Sequence, residues 1–406
     1  MRKIFFLAIL LIFESNLFAT TYTSISNGNW STPTIWSPAG VPQPGDDVII
    51  NTDVVMDDTY TSGGYWSVSG GSIIINANAS FVQGANVIGI AIQNGGTITN
   101  NGTFNFDQLG IYDGIFTNNG TANCYQLIYN LGTVDNYGII QEVDSFYTSG
   151  TCVNNTNATI LSDSIHNEGV FTNNGVVTVV EFLNDSTFTN NGTYTFNRYY
   201  NAGSFENYGQ VTCTLDATNA GYWYNAQGSQ TDLSNNFTNS DGISTTYTAV
   251  FENDGIFNIG NDWSNLDTTK GNSTGAFYIQ GGTYNEGVMT GSFLFCDQTP
   301  TTTIEPIIDY NTGIIDTNIT YCAVNIELEN NLSTIRLFPN PTNKKFFVTG
   351  SDITKIQVLD IRGKILMSKQ VTNGKISFDI TNRTNGIYFV KIFSISGNLV
   401  KKLVIN

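Results

Sequence analysis

The stretch FTNNGTYTF, residues 188–196, sets an apolar residue, an Asn and a Gly at fixed spacing, and the chain keeps repeating the phrase. It returns as ITNNGTFNF (98–106), FTNNGTANC (116–124), VDNYGIIQE (134–142), FTNNGVVTV (171–179) and FENYGQVTC (205–213). With the Asn two places after the apolar residue as reference, the column reads Asn100, Asn118, Asn136, Asn155, Asn173, Asn190 and Asn207, at steps of 18, 18, 19, 18, 17 and 17. Two places earlier the residues are Ile98, Phe116, Val134, Val153, Phe171, Phe188 and Phe205. Six places later come Phe106, Cys124, Glu142, Leu161, Val179, Phe196 and Cys213, apolar with one exception. Two places after each Asn stand Gly102, Gly120, Gly138, Asn157, Gly175, Gly192 and Gly209. That column reads as a corner with positive φ, where Gly is favoured and Asn is the commonest substitute.

A period near 18 residues with short β segments and fixed turns predicts an all-β stacked solenoid, one coil of a parallel β-helix per repeat. The Asn residues then form a ladder that satisfies backbone groups at the corner. A β-sandwich is the alternative, but hairpin strands rarely hold seven equivalent columns in phase. Residues six apart, as in Phe188, Tyr194 and Tyr200, also suit a left-handed hexapeptide helix. The bulky Phe column and the drifting step favour a right-handed coil. Beyond Asn207 the phrase recurs in FENDGIF (251–257) and YNEGVM (284–289), with Asn253 and Asn285 separated by 32 residues. Insertions at 214–236 and 258–282 are expected to carry Tyr222, Trp223, Tyr224 and Trp263 outward. Aromatics so placed can stack on sugar rings or simply cover the core.

Scarce charge and abundant Gly, Asn and Thr agree with strands and turns. The first residues, MRKIFFLAILLIFESNLFATT, pair Arg2 and Lys3 with an apolar run from Ile4 to Phe13 and a small Ala19. The run is short for a membrane span and reads as a signal peptide over 1–19, leaving no transmembrane anchor. From Thr20 to Asn331 there are 29 Asp and Glu against two cations, Arg198 and Lys270. From Leu332 onward there are twelve Lys and Arg against three Asp, so a boundary falls there. The acidic body excludes nucleic acid as a partner, because phosphate binding requires cations.

Residues 20–75 are assigned to an N-terminal cap with the first strands and 76–295 to the β-helix repeats. A C-terminal cap and linker is expected over 296–334. Within the first, NGNWSTPTIWSPAGVPQPGDDVIINTDVVMDD (27–58), with Trp30, Trp36 and the GDDVII strand, resembles the opening of G8-type domains and of secreted β-helix proteins from Bacteroidota. Asp46, Asp47, Asp57 and Asp58 are candidate calcium ligands, though turn capping is the commoner role for such Asp. No other cofactor is expected. Cys296 and Cys322 bracket a Thr- and Pro-rich segment and are expected to pair in an oxidising environment. Cys124 and Cys213 share one column five coils apart, beyond reach of each other, and Cys152 is unassigned.

The tail, 335–406, carries the most specific motifs: Phe338-Pro339-Asn340-Pro341, the LDIRGK hairpin with Asp360, Gly363 and Lys364, the NGIYFV strand with Gly386 and Tyr388, and the terminal KKLVI with Lys401 and Lys402. These resemble the type A C-terminal sorting domain of type IX secretion substrates in Bacteroidota. The resemblance implies a small β-sandwich and the type IX secretion machinery as partner. It also implies export to the outer surface or the medium, with removal of the tail.

Chemistry is sparse. His166 is the single His and reads as a polar corner residue. A polysaccharide lyase would need cations to neutralise uronates, and a hydrolase two close carboxylates, whereas Glu142, Asp144, Asp163 and Glu181 look scattered. The expected function is a secreted, non-enzymatic surface solenoid for adhesion or matrix association. A polysaccharide-binding or polysaccharide-degrading β-helix is the alternative.

Overall fold

The computed structural model describes residues 19–58, 65–85, 87–242, 249–322, 335–350, 353–361, 363–371, 375–394 and 397–406. The signal-peptide stretch up to Phe18 and residues 323–334 of the expected linker lie outside them. Two compact units divide between Cys322 and Ala323.

The first unit is a parallel β-solenoid with three faces per coil. In one coil the first face is Thr97–Asn100, and the strand Thr103–Ile111 supplies the second and third, with a register irregularity between Phe106 and Gln108. First faces stack into a sixteen-stranded sheet, parallel throughout except where Trp36–Ser37 runs antiparallel to Thr21–Ser24. Alternation decides what points inward: Ile98 and Asn100 are buried, while Thr97 and Thr99 face outward. β-branched Thr fits those outer positions, half covered by its neighbours on the pleated sheet.

The interior is an aromatic stack. Phe188 and Phe205 lie parallel with centroids 4.9 Å apart, and the contacts continue through Trp223, Phe251 and Phe277. Each fully buried Phe contributes about 1.5–3 kcal/mol relative to exposure. No coil can enclose such rings alone, which is why the repeat must stack. At the N-terminal end Trp30 packs against Trp36, Trp66 and Phe81, and the indole of Trp36 donates to the Trp30 carbonyl.

The Asn ladder is present, but its fourth member is Asn154, not Asn155: Asn154 pairs in register with Asn136 and Asn173. From Asn100 through Asn118, Asn136, Asn154, Asn173, Asn190, Asn207 and Asn225 to Asn253, each side-chain amide donates to the next at 2.7–2.8 Å. A second ladder closes the third face, running from Asn167 through Asn184, Asn201, Asn219, Asn239, Asn265 and Asn285 to Asn311. Asn285 therefore belongs to this second column and Asn253 to the first, so their separation of 32 residues is not a coil length.

The glycine column also has a different cause from the expected one. Gly102, Gly120, Gly138, Gly175, Gly192 and Gly209 are not among the positive-φ residues. A Cβ on Gly120 would instead lie 2.1 Å from the Gly102 carbonyl oxygen, and one on Gly138 equally close to that of Gly120. Glycine is required because successive backbones touch at the corner. Asn157 does have φ of 68°, but in a longer turn, where the Ala158 carbonyl accepts from Val176.

Glu142, the apolar column's exception, sits at φ of 59° beside a register shift between Ile140 and Val143. It is an extra residue at a bulge. Val143 turns inward in its place and is buried. In the following coil Ser162, not Leu161, takes the inward position.

The second unit is antiparallel. A three-stranded sheet of Arg336–Phe338, Lys345–Thr349 and Lys375–Asp379 and a four-stranded sheet of Ile365–Gln370, Ile353–Leu359, Gly386–Ser394 and Gly397–Ile405 share one apolar core. Phe346 and Phe378 stack within it, beside Val390, Ile392 and Leu403.

Candidate functional site

The bend between second and third faces is widest where strands Thr121–Asn130 and Ile139–Thr148 each hold ten residues, against nine in their neighbours. A groove of about 490 Å³ lies there, bordered by Tyr125, Gln141, Glu142, Asp144, Leu161, Asp163, Val180 and Asn197. Glu142, Asp144 and Asp163, which look scattered along the chain, stand together on this groove because coils stack them. Tyr125, Leu161 and Val180 are exposed apolar side chains beside them. A second hollow of about 300 Å³, with Glu181, Arg198, Tyr200 and Asp216, lies over the third face of later coils. The outward column step that gathers these acids could be read from the sequence only with the bulge at Glu142 already known.

Both cations of the solenoid are engaged: Arg198 lies 3.6 Å from Glu181 and Lys270 2.8 Å from Glu252. Tyr222 donates to Glu252, and Tyr224 to Asp254. Burial and the Glu252 hydrogen bond raise the Tyr222 hydroxyl pKa well above its ordinary value. These two Tyr line the outer side of a regular first-face strand, Tyr222–Asn225, rather than an insertion. Trp223 and Trp263 are fully buried and pack on Phe251 and Phe295, which withdraws them from any surface site. Large rings at inward positions of an alternating strand belong to the core, and YWYN displays that alternation.

Of the four N-terminal carboxylates, Asp46 and Asp57 cap backbone amides and Asp47 holds a side-chain hydroxyl. Asp46 accepts from the amides of Thr20 and Gln43, Asp47 from the Ser72 hydroxyl, and Asp57 from the Ser31 amide and hydroxyl. Neither they nor Asp58 belong to a group of three metal-ligand side chains among the described residues. The group that does so is His166, Glu168 and Asp185, at the corner of the third face.

Cys296 and Cys322 form a disulfide with Cα atoms 4.9 Å apart, joining strand Leu294–Asp297 to the chain end of the last coil. Cys124, Cys152 and Cys213 are free and buried. Burial pushes the Cys213 thiol up to about 12 and those of Cys124 and Cys152 higher still, so none is a nucleophile at neutral pH.

In the second unit the tail motifs converge. Asn340 donates through its side chain to the Lys402 carbonyl and accepts from the Val404 amide, pinning the Phe338–Pro341 turn onto the terminal strand. Thr342 bridges to Ile405. Asp360 accepts from the Lys364 amide, and Gly363 supplies the φ of 79° that closes this hairpin. Arg362 lies outside the described residues. Tyr388 is nearly buried and donates to the Thr384 carbonyl, beside Gly386 at the strand's start. Phe338 and Lys402 are exposed, and Lys401 is half-buried, opposite Val390.

The architecture is thus that of an acidic β-solenoid followed by a separate antiparallel sandwich. Residues 336–406 match the secretion system C-terminal sorting domain, so the second unit is a type IX secretion sorting tail handled by that machinery. No curated protein matches the chain. No helix among the described residues is long and apolar enough to cross a membrane.

Proposed function

We propose that this is a non-enzymatic solenoid delivered to the cell surface or the medium, where it associates with matrix glycan. The sorting tail is the observation that carries delivery. The groove at Glu142, Asp144 and Asp163 is the surface we assign to the glycan, with Tyr125 and Leu161 offering apolar contact to sugar rings. The N-terminal likeness to G8-type surface proteins fits the same role. Ion pairing of Arg198 and Lys270 leaves no unengaged cation on the described solenoid for uronate neutralisation, which argues against a lyase.

One observation favours hydrolysis as a second reading, namely the three carboxylates brought to one groove. A single experiment separates the two. The chain from Thr20 onward is presented to a polysaccharide panel, following retention and new reducing ends. Retention without product, reduced by Asp144→Asn with Asp163→Asn, supports binding. Product release abolished by the same pair overturns the non-enzymatic reading. Neither retention nor product removes the groove as a glycan site.

A further inference from the structure

His166 projects from the third face between two carboxylates supplied by successive turns. Glu168 follows ladder residue Asn167, and Asp185 follows Asn184; those two Asn are bonded at 2.7 Å. Backbone bonds fix both turns, with the Glu168 amide donating to Thr148 and the Asp185 amide to Asn167. The imidazole Nε2 lies 2.8 Å from Asp185 Oδ2 and 3.4 Å from Glu168 Oε1. All three ligand atoms fall within 4.8 Å of one another.

We propose that His166, Glu168 and Asp185 form a binding site for a divalent transition ion of the zinc type. With metal–ligand bonds of about 2.0–2.1 Å in a tetrahedron, neighbouring ligand atoms stand about 3.3 Å apart. Both distances to Nε2 are close to that edge, and the carboxylates need only rotate inward. A second observation supports a built site. The Tyr147 hydroxyl donates to Glu168 Oε2, the oxygen not facing the imidazole, which leaves Oε1 directed at His166. Tyr147 also packs edge-on against the imidazole, with centroids 5.4 Å apart, and itself stacks on Tyr129 at 5.0 Å. Such outer contacts orient a ligand set. An imidazole with two carboxylates selects zinc, copper or nickel over calcium and magnesium, which prefer all-oxygen shells. A dipositive ion would neutralise the two acids, and its fourth position faces solvent, open to water or to an oxygen of a bound molecule.

The test uses the full chain from Thr20, prepared without a polyhistidine tag, because His166 is the single His. Zn²⁺ is titrated calorimetrically in the presence of excess Ca²⁺. Saturation at one ion per chain is expected below millimolar Zn²⁺, with three protein ligands and an open fourth position. His166→Gln should weaken it at least ~10-fold, and Tyr147→Phe by about 10-fold while leaving the stoichiometry unchanged. His166 is one-third exposed and Tyr147→Phe removes only a hydroxyl, so circular dichroism should match wild type in each variant. Wild-type affinity in His166→Gln would overturn the proposal, as would full competition by Ca²⁺ or the absence of saturable binding below millimolar Zn²⁺.

Discussion

Replacing one ladder amide tests whether the Asn columns hold the coils together or merely fill space. Asn136 is fully buried. Its Nδ2 donates to Asn154 Oδ1 at 2.8 Å and the Thr159 carbonyl at 3.0 Å, while its Oδ1 accepts from Asn118 at 2.8 Å and from the Gly138 amide at 3.3 Å. Asn136→Ala withdraws a donor from three acceptors, the third being the Gly138 carbonyl at 3.2 Å. Asn118 Nδ2 still reaches the Ile139 carbonyl at 3.0 Å. At about 1–3 kcal/mol for each buried group left unmatched, the expected loss is about 2–4 kcal/mol once partial relaxation is allowed. Asn119, one residue beyond the ladder, is the internal control: it is exposed, and its amide reaches Asn101 at 2.9 Å. Asn119→Ala should change stability by no more than about 0.5 kcal/mol. Urea unfolding followed by the fluorescence of the buried Trp residues measures both. Equal midpoints for the two variants would refute the structural role of the ladder.

The corner glycines predict a contrast: Gly120→Asn should disrupt the stack, because any Cβ meets the Gly102 carbonyl oxygen at 2.1 Å, whereas Gly228→Asn, at φ of 86° with open space around it, should be tolerated in the same urea unfolding. Reduction of Cys296–Cys322, which closes a loop of 26 residues, should cost about 3–4 kcal/mol and loosen the last coils first, read by hydrogen exchange. Burial holds the Asp297 carboxyl above its ordinary value of 3.8, opposed by hydrogen bonds from Thr283 and Thr299. The folded state therefore binds that proton more tightly than the unfolded chain, a contribution present in acid and lost as pH rises through the raised value. Asp297→Asn should remove this loss, gaining on wild type in Tm at neutral pH and showing no gain below pH 3.8. In the tail, Asn340→Ala frees the Phe338–Pro341 turn from Lys402 and Val404 and should lower export of a reporter fused to residues 335–406.

The parallel solenoid was legible because a stacked fold writes its contacts along the sequence: a residue's partner lies one period away, as with Phe188 and Phe205. Where the period slips, the inference slips with it. The coil containing Asn154 carries a longer turn, so counting from the nearby glycine-like Asn157 shifted the ladder by one residue. The second ladder sits in varied phrases, NEG at 167, NDS at 184 and NAG at 201, whose shared feature is geometric rather than lexical. In the glycine column the sequence displays the absence of a side chain but not which atom forbids one, so a positive-φ corner and a close backbone approach read alike. Glu142, Asp144 and Asp163 look scattered in the sequence because their proximity depends on a one-residue bulge. His166 and Glu168 are two residues apart, but Asp185 lies 19 and 17 residues further on, across one coil step, a spacing that matches no local motif. The disulfide and the tail motifs were readable, since the first follows from secretion and the second from dense local turns.

Each amide in both ladders points the same way, its nitrogen toward the following coil and its oxygen toward the preceding one. A seam of that kind has a head and a tail at every joint. If a coil is duplicated within the stack, one joint opens and two equivalent joints close, leaving no mismatched pair at either junction. Removing a coil reverses the operation with the same neutrality. The number of coils is therefore a free variable of this architecture: the solenoid can lengthen or shorten by one coil at a time while every surviving joint stays chemically identical.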